Sequence, residues 1–268
     1  MNNLKSKRFF LLDMDGTIYL DDELFDGTLD FLSYVKSVGG RYMFLTNNSS
    51  KSVSAYVDKL CRIGIEASAE DFLTSTDATI LYIKEKMQGR KFYSFGTDSF
   101  TQQLRDAGIN VTTEREDDVD AIVMGNDNEL NFKKLEDACI LLGRDVEYIA
   151  TNPDWVCPTS FGYVPDCGSV AEMLWRATGK RPHFIGKPRP EMILLAMKKY
   201  GYTPDETVMI GDRMYTDIAA GHNAGVDTIF VLSGEGTMAD VEASDFAPTH
   251  IHKGIRETLN TIIEDSGK

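Results

Sequence analysis

The chain has 268 residues, 42% of them hydrophobic and 26% charged, which is enough for one large α/β domain or two smaller ones. Its net charge of −14 argues against a nucleic-acid partner, because nucleic acids select basic surfaces. No apolar run approaches the roughly 20 residues of a membrane span, and the first residues lack a signal-peptide core, so we expect neither membrane insertion nor secretion. The four cysteines are scattered without a Cys-x-x-Cys pair, which favours reduced thiols in the cytoplasm over a zinc or redox site.

Strand-like apolar runs alternate with helical patterns, which predicts a mainly parallel sheet with crossover helices and therefore an α/β fold class. In the first part of the chain the predicted elements are a strand from Phe9 to Asp13, a helix from Gly27 to Val38, a strand from Tyr42 to Leu45 and a helix from Ser52 to Ile63. In the last part they are a helix from Pro190 to Tyr200, a strand from Thr207 to Ile210, a helix from Thr216 to Ala224 and a strand from Thr228 to Leu232.

Polar residues follow three of these strands at their carboxyl ends. Asp13 ends the first strand, and Asp15 follows it on a glycine-containing turn. Thr46 and Asn47 follow the second strand, and Asp212 follows the strand that begins near residue 207. Because ligands bind at the carboxyl edge of an open parallel sheet, we expect these side chains to form one site.

Phosphoryl transfer from a monoester needs a nucleophile, a proton for the leaving oxygen and positive charge around the phosphate. We predict that Asp13 is the nucleophile and forms an aspartyl-phosphate, and that Asp15 is the general acid and base. Lys187 would supply positive charge to the phosphate. Thr46 and Asn47 would bind the phosphate oxygens, helped by backbone N–H groups where the next helix begins.

The same residues predict a magnesium site, because Mg²⁺ prefers oxygen ligands. The predicted protein ligands are the carboxylates of Asp13 and Asp212 and the backbone carbonyl of Asp15. Asp217 is predicted to orient a metal-bound water or Lys187 without binding the metal itself.

Residues 80–181 resemble a separate α/β unit that contributes none of these catalytic positions. Strands are predicted at 91–95, 121–124 and 148–150, and helices at 132–142 and 170–178. We therefore predict an inserted α/β cap domain at residues 80–181, between the two parts of the core at residues 1–79 and 182–268.

The order of the motifs resembles that of the phosphatases of the haloacid dehalogenase (HAD) superfamily, over nearly the whole chain. The motifs are Asp13-Met14-Asp15-Gly16-Thr17, Thr46, Lys187 and Gly211-Asp212-Arg213-Met214-Tyr215-Thr216-Asp217. Only 33 positions separate Asp13 from Thr46, whereas 141 separate Thr46 from Lys187. The resemblance therefore implies a Rossmann-like core with a C2-type cap inserted after the second motif.

Shorter stretches resemble the NagD-like, 4-nitrophenylphosphatase-type subfamily, which includes nucleotidases, phosphoglycolate phosphatases and pyridoxal phosphate phosphatases. They are Leu45-Thr46-Asn47-Asn48-Ser49, Gly186-Lys187-Pro188 and Ala150-Thr151-Asn152-Pro153-Asp154. Asn152 and Asp154 are candidate cap contacts with the substrate, although Asn-Pro-Asp favours a turn whatever the function. The stretch Pro165-Asp166-Cys167-Gly168-Ser169 departs from the subfamily pattern, in which we expect a second glycine after the proline, and this departure leaves the specificity open.

The sequence thus predicts a cytoplasmic, Mg²⁺-dependent phosphomonoesterase that acts on a nucleotide, sugar phosphate, phosphoglycolate or similar small metabolite. The alternative is a phosphate-sensing or phospho-accepting module without turnover, because response-regulator receivers also combine acidic residues, a Thr or Ser and a Lys. Receivers are about half this length and lack a cap. No nucleic-acid or membrane partner is expected, and a homodimer is left open, because caps in this subfamily can mediate dimers.

Overall fold

A computed structural model describes residues 4–48, 53–159 and 162–266 of the chain. The chain forms two compact units. Unit 1 comprises Met1–Thr46, Ser52–Leu73 and Lys187–Lys268, and unit 2 comprises Asn47–Lys51 and Thr74–Gly186. Ser49 of the subfamily motif and the predicted helix start at Ser52 lie outside the described residues.

Strands and helices alternate along the chain. The strands of the described residues are β1 (Phe9–Leu12), β2 (Tyr19–Leu20), β3 (Glu23–Leu24), β4 (Arg41–Thr46), β5 (Phe72–Thr74), β6 (Phe92–Phe95), β7 (Val111–Thr112), β8 (Ala121–Met124), β9 (Glu147–Ala150), β10 (Val156–Thr159), β11 (Gly162–Pro165), β12 (His183–Phe184), β13 (Thr207–Gly211), β14 (Asp227–Val231) and β15 (His250–His252). Their α-helices are α1 (Thr28–Ser37), α2 (Val53–Arg62), α3 (Ser75–Lys86), α4 (Asp98–Asp106), α5 (Phe132–Leu142), α6 (Cys167–Thr178), α7 (Glu191–Tyr200), α8 (Ala219–Ala224), α9 (Met238–Ala243) and α10 (Ile255–Ser266).

The sheet of unit 1 has β1 at its centre. Its described strands lie in the order β15-β14-β13-β1-β4-β5. Strand β1 is parallel to both neighbours, with Leu12 opposite Ile210 of β13 and Phe44 of β4. All four residues of β1 are fully buried, as is typical of a strand covered on both faces. The carboxyl ends of β13, β1 and β4 therefore lie side by side.

An apolar core holds these strands against the helices of unit 1. On α1, Phe31 and Val35 are buried one helical turn apart, and they belong to the same cluster as Phe10 and Phe44. The rings of Phe10 and Phe31 meet edge to face, with centroids 5.5 Å apart. Burying an apolar side chain of this size contributes roughly 1.5–3 kcal/mol. The strand that precedes Asp13 is thus fixed by packing.

Unit 2 has a second sheet and a separate core. Its described strands include a parallel set in the order β12-β9-β8-β6-β7 and an antiparallel hairpin of β10 and β11. Helix α3 begins with a capping box, in which Asp77 N donates to Thr74 Oγ1 and Thr74 N donates to Asp77 Oδ2, each at 3.1 Å. The core cluster includes Tyr93, Phe95, Met124, Leu141 and Leu174.

The α/β fold class predicted from the sequence is confirmed. One predicted element differs from the structure. In place of a single α-helix at 216–224, the chain forms a π-helical turn at Met214–Ile218 and then continues as α8. Asp217 Oδ2 accepts a 3.1 Å hydrogen bond from Arg213 N and so holds this turn. Within the described ranges, no helix is long and apolar enough to cross a membrane.

Candidate active site

Three carboxylates meet at the carboxyl edge of the unit 1 sheet. One oxygen each of Asp13, Asp212 and Asp217 lies within 4.8 Å of the other two. Asp13 follows β1 directly, and its backbone N–H donates to Ile210 O at 2.9 Å, which fixes it beside β13. Asp212 and Asp217 are each 1% exposed, whereas the Asp13 side chain is 18% exposed. Asp13 is therefore the member of this cluster that a ligand can reach.

Lys187 lies among these carboxylates. Its Nζ is 2.6 Å from Asp13 Oδ1 and 2.7 Å from Asp217 Oδ1, and it also donates to Leu45 O at 3.1 Å. Burial alone would lower the pKa of Lys187, but the charges of Asp13 and Asp217 outweigh it and raise the pKa above the ordinary value. The ammonium therefore stays charged and fixed in direction.

One lysine does not balance three carboxylates. Burial, reinforced by the charge of Asp217 and opposed by Lys187, raises the pKa of Asp13 to about 8. Burial and Asp217 also raise the pKa of Asp212 to about 6. A divalent cation at this point would stabilise the charged forms of both carboxyl groups against burial and against their mutual repulsion.

The hydrogen bonding of Asp212 also fits a cation. Its Oδ2 accepts from Glu235 N at 2.8 Å, but its buried Oδ1 has no hydrogen-bond partner among the described residues. A buried oxygen without a donor is costly, and carboxylate oxygens are ligands that Mg²⁺ prefers. The donor set of Asp13 and Asp212 is therefore suitable for magnesium.

Glycines leave the space that these carboxylates occupy. A Cβ added at Gly16 or Gly234 would collide with the Asp212 carboxylate, and one at Gly211 would collide with Asp217. Gly16 also has a φ of +86°, which side-chain-bearing residues rarely adopt. Gly234 was not predicted as part of the site, although its position just after β14, at the same edge of the sheet, is a usable signal.

Asp15 is not a member of the carboxylate cluster, and its side chain is 63% exposed. Tyr19 Oη donates to Asp15 Oδ2 at 3.3 Å, and Lys59 Nζ lies 3.7 Å from Asp15 Oδ1. Neither Tyr19 nor Lys59 was predicted from the sequence. The Tyr19 contact depends on the turn after β1, which brings a tyrosine four positions downstream back onto Asp15, and the Lys59 contact depends on the position of α2.

The remaining candidates lie at the end of β4 and in unit 2. Thr46 is the last residue of β4 and is 8% exposed. In unit 2, Asn47 Nδ2 donates to Asp154 Oδ1 at 3.1 Å, and the backbone carbonyl of Asn47 accepts from Asn152 Nδ2 at 3.0 Å. Asp154 N in turn donates to Asn152 Oδ1 at 3.0 Å. The structure thus joins Asn47, Asn152 and Asp154 in one hydrogen-bonded cluster. Such a cluster is consistent with a substrate contact and equally with a structural turn.

Comparisons with known proteins find relatives over nearly the whole chain. A haloacid dehalogenase-like hydrolase family matches residues 10–110, and a HAD hydrolase-like family matches residues 184–258. The acid sugar phosphatase of Staphylococcus aureus is 33% identical over 256 residues, which cover 96% of this chain and 98% of that protein.

Solved structures of phosphatases are also similar to this chain over nearly its whole length. The 4-nitrophenylphosphatase from Thermotoga maritima is similar with a TM-score of 0.90 at 36% identity, covering 97% of this chain and 98% of that one. NagD from E. coli K-12 is similar with a TM-score of 0.86 at 29% identity, covering 94% and 98%. The chain therefore belongs to the NagD-like phosphatases of the haloacid dehalogenase superfamily, which are phosphoric monoester hydrolases.

Proposed function

We propose that this phosphatase is magnesium-dependent and hydrolyses a small phosphorylated metabolite through an aspartyl-phosphate on Asp13. The observation that carries the proposal is the position of Asp13 itself. It is the most accessible member of a buried carboxylate cluster, with a side chain that is 18% exposed, and Lys187 lies 2.6 Å from one of its oxygens. This arrangement leaves a carboxylate oxygen accessible to phosphorus next to a fixed positive charge.

The metal ligands in this proposal are Asp13, Asp212 and the backbone carbonyl of Asp15. The proposal is supported by the buried Oδ1 of Asp212, which lacks a hydrogen-bond partner in the described part of the chain, and by the raised pKa values of Asp13 and Asp212. Bound Mg²⁺ would supply positive charge against the phosphate oxygens during transfer.

The protein residues then have distinct parts in two half-reactions. In the first, an Asp13 oxygen attacks phosphorus, the bond from phosphorus to the ester oxygen breaks, and Asp15 gives its proton to that oxygen. In the second, Asp15 takes a proton from water, whose oxygen attacks phosphorus. The bond from phosphorus to the Asp13 oxygen breaks, inorganic phosphate leaves, and Asp13 is restored as a carboxylate. Lys187 balances charge on the phosphate throughout, and Asp217 orients Lys187 through their 2.7 Å hydrogen bond.

The substrate proposal begins from the named relatives, one of which is an acid sugar phosphatase and another a 4-nitrophenylphosphatase. Sugar phosphates are therefore the first candidates, followed by nucleotides, phosphoglycolate and pyridoxal phosphate. We also propose that unit 2 is the inserted cap and that Asn152 or Asp154 contacts the leaving group. A cytoplasmic location is part of the same proposal, and size-exclusion chromatography would decide between a monomer and a homodimer.

The test is release of inorganic phosphate from this panel of metabolites and from 4-nitrophenyl phosphate, with Mg²⁺ and with EDTA. We expect turnover that depends on Mg²⁺, with one metabolite ahead of the others in kcat/KM. Asp13→Asn should abolish turnover without unfolding the protein, whereas Asp58→Asn, at an exposed position on α2, should change nothing. Near-normal activity of Asp13→Asn would contradict the mechanism. A long-lived phosphorylated Asp13 without turnover would favour the phospho-accepting alternative.

A further inference from the structure

Two side chains outside the catalytic motifs contact the carboxyl group of Asp15. Tyr19, at the start of β2, places its hydroxyl 3.3 Å from Oδ2, and Lys59, on α2, places its ammonium 3.7 Å from Oδ1. Each oxygen of Asp15 therefore faces a different proton donor. Both residues belong to unit 1, like Asp15 itself.

Tyr19 is held rigidly in this position. It is fully buried, and its backbone carbonyl accepts a 2.9 Å hydrogen bond from Gly16 N, which closes the turn that carries Asp15. Lys59 Nζ lies 3.8 Å from the centroid of the Tyr19 ring, so the ammonium and the ring position each other. From this fixed position the Tyr19 hydroxyl donates to Asp15 Oδ2.

Asp15 needs such support because its side chain is largely exposed. A carboxyl group that is 63% exposed is free to rotate unless its neighbours hold it. Partly exposed ion pairs contribute little to the stability of a fold. The side chain of Lys59 is 18% exposed, and its ion pair with Asp15 contributes little to the stability of α2. Orientation of the Asp15 carboxyl group is therefore the better explanation of this contact.

We propose that Tyr19 and Lys59 are positioning residues for Asp15, which orient its carboxyl group and stabilise the carboxylate that forms when it protonates the leaving oxygen. This inference rests on the proposed role of Asp15 as general acid. In that step the bond from phosphorus to the ester oxygen breaks, the proton of Asp15 moves to that oxygen, and the negative charge passes to Asp15. The Tyr19 hydroxyl and the Lys59 ammonium face the two oxygens that share this charge.

The inference predicts a dependence on the leaving group. 4-Nitrophenolate is a weak base and departs with little help from a proton, whereas phenolate is more basic and needs it more. Phenyl and 4-nitrophenyl phosphate have closely similar shapes, so loss of binding or of folded protein would affect both alike. A selective loss on phenyl phosphate therefore reports on the acid.

The experiment measures kcat/KM for phenyl and 4-nitrophenyl phosphate in Tyr19→Phe, Lys59→Met, Lys59→Arg and Asp15→Asn. We expect Tyr19→Phe and Lys59→Met to lose about tenfold on phenyl phosphate and less than about twofold on 4-nitrophenyl phosphate, as for loss of a hydrogen bond to a charged group. Lys59→Arg should retain most of the activity on both. The matched control is Arg62→Met on the same helix, whose exposed partner is Asp22, and it should change neither.

Asp15→Asn distinguishes the proposed acid role of Asp15 from the proposed positioning role of Tyr19 and Lys59. If Asp15→Asn is selective and the Tyr19 and Lys59 variants are not, the positioning role is wrong and the proposed function stands. If Asp15→Asn loses equally on both esters, the acid role of Asp15 fails and this inference fails with it. Tyr19→Phe removes one oxygen from a buried ring, so its folding is checked by thermal unfolding. Should it fail to fold, the partly exposed Lys59→Met decides alone.

Discussion

Lys187 donates a 2.7 Å hydrogen bond to Asp217, and neither side chain is more than 3% exposed. The same ammonium lies 2.6 Å from Asp13. The lysine is therefore held from two sides, by an inaccessible carboxylate and by the proposed nucleophile. In the proposed mechanism Asp13 gives part of its charge to phosphorus, and we therefore propose that Asp217 sets the direction of the Lys187 ammonium.

Replacing Asp217 by asparagine should lower kcat/KM about 10- to 100-fold, as is common when a residue that orients a functional group is changed. The amide keeps the shape but removes the charge, so Lys187 would pair with Asp13 alone and weaken it as a nucleophile. Steady-state kinetics on 4-nitrophenyl phosphate would measure the loss, with Asp58→Asn as the surface control. Unchanged kinetics would mean that the orientation of Lys187 does not depend on Asp217.

Magnesium should raise the melting temperature of the wild-type protein, because the proposed site is formed by the folded carboxylate cluster and is absent from the unfolded chain. At a free concentration of 100 times Kd, binding stabilises by about 2.7 kcal/mol. Differential scanning calorimetry with Mg²⁺ and with EDTA would show the shift. Asp212→Asn should abolish it, whereas Asp240→Asn, in the exposed capping box of α9, should keep it. A shift of equal size in Asp212→Asn would place the cation elsewhere.

Asp166 should make unit 2 less stable as the pH rises. Burial raises the pKa of its carboxyl to about 6 from an ordinary value of 3.8, against the opposing effect of the Cys167 N–H hydrogen bond and with support from the charge of Asp154. The folded state thus binds the proton more tightly than the unfolded state. The penalty is absent below about pH 4, grows between about pH 4 and 6, and reaches up to about 3 kcal/mol above that range.

Asp166→Asn removes this titration and keeps an amide oxygen that can cap α6. We expect its melting temperature to exceed that of the wild type at pH 7.5 and to approach it at pH 4.5. Asp117→Asn, at a side chain that is 99% exposed, is the control in the same unit. A difference in melting temperature between Asp166→Asn and the wild type that is the same at both pH values would contradict a raised pKa of Asp166 as its cause.

Lys7 should contribute to stability and not to catalysis. Its Nζ is 2.6 Å from Asp227 and donates to the carbonyls of Asp205 and Thr207, and the side chain is 3% exposed. Lys7→Met would leave the carboxylate and both carbonyls without this donor and should cost about 3 kcal/mol. Chemical denaturation would measure the loss, with the exposed Lys5→Met as control.

Adding Asp227→Asn to Lys7→Met should recover part of this loss, since the partly buried negative charge that faced Lys7 is then removed. The kcat/KM of the folded variant should match the wild type. A larger loss in the double variant than in Lys7→Met would show that the carboxylate is stabilised by other groups.

The sequence was sufficient to predict which residues lie at the carboxyl ends of the parallel strands, and the reason is physical. A fully apolar run such as Phe9 to Leu12 identifies a buried strand, and the residue after it must emerge at the edge of the sheet. Applied to β1 and β13, this argument brings Asp13 and Asp212 together, and the structure has them in one cluster. The strand order is not needed for it, because all parallel strands end at the same edge.

Contacts that depend on loop geometry could not be predicted in this way. Asn47 and Asp154 are 107 positions apart, and no periodicity in the sequence relates them. Gly234 touches Asp212 only because the chain turns sharply after β14. The Tyr19 and Lys59 contacts with Asp15 depend on a short hairpin and on the packing of α2, neither of which is visible as a hydrophobic pattern.

The chain crosses from one unit to the other beside two phosphate-binding candidates. Thr46 is the last residue of the first segment of unit 1, and Lys187 is the first residue of its final segment. In the proposed mechanism both residues bind phosphate, so the stretch 74–186 is encoded between two residues that the mechanism needs. Insertions, deletions and recombination within it leave Asp13, Asp212 and Asp217 untouched. We expect such enzymes to change their substrates mainly through sequence changes within this stretch, while the reaction itself stays the same.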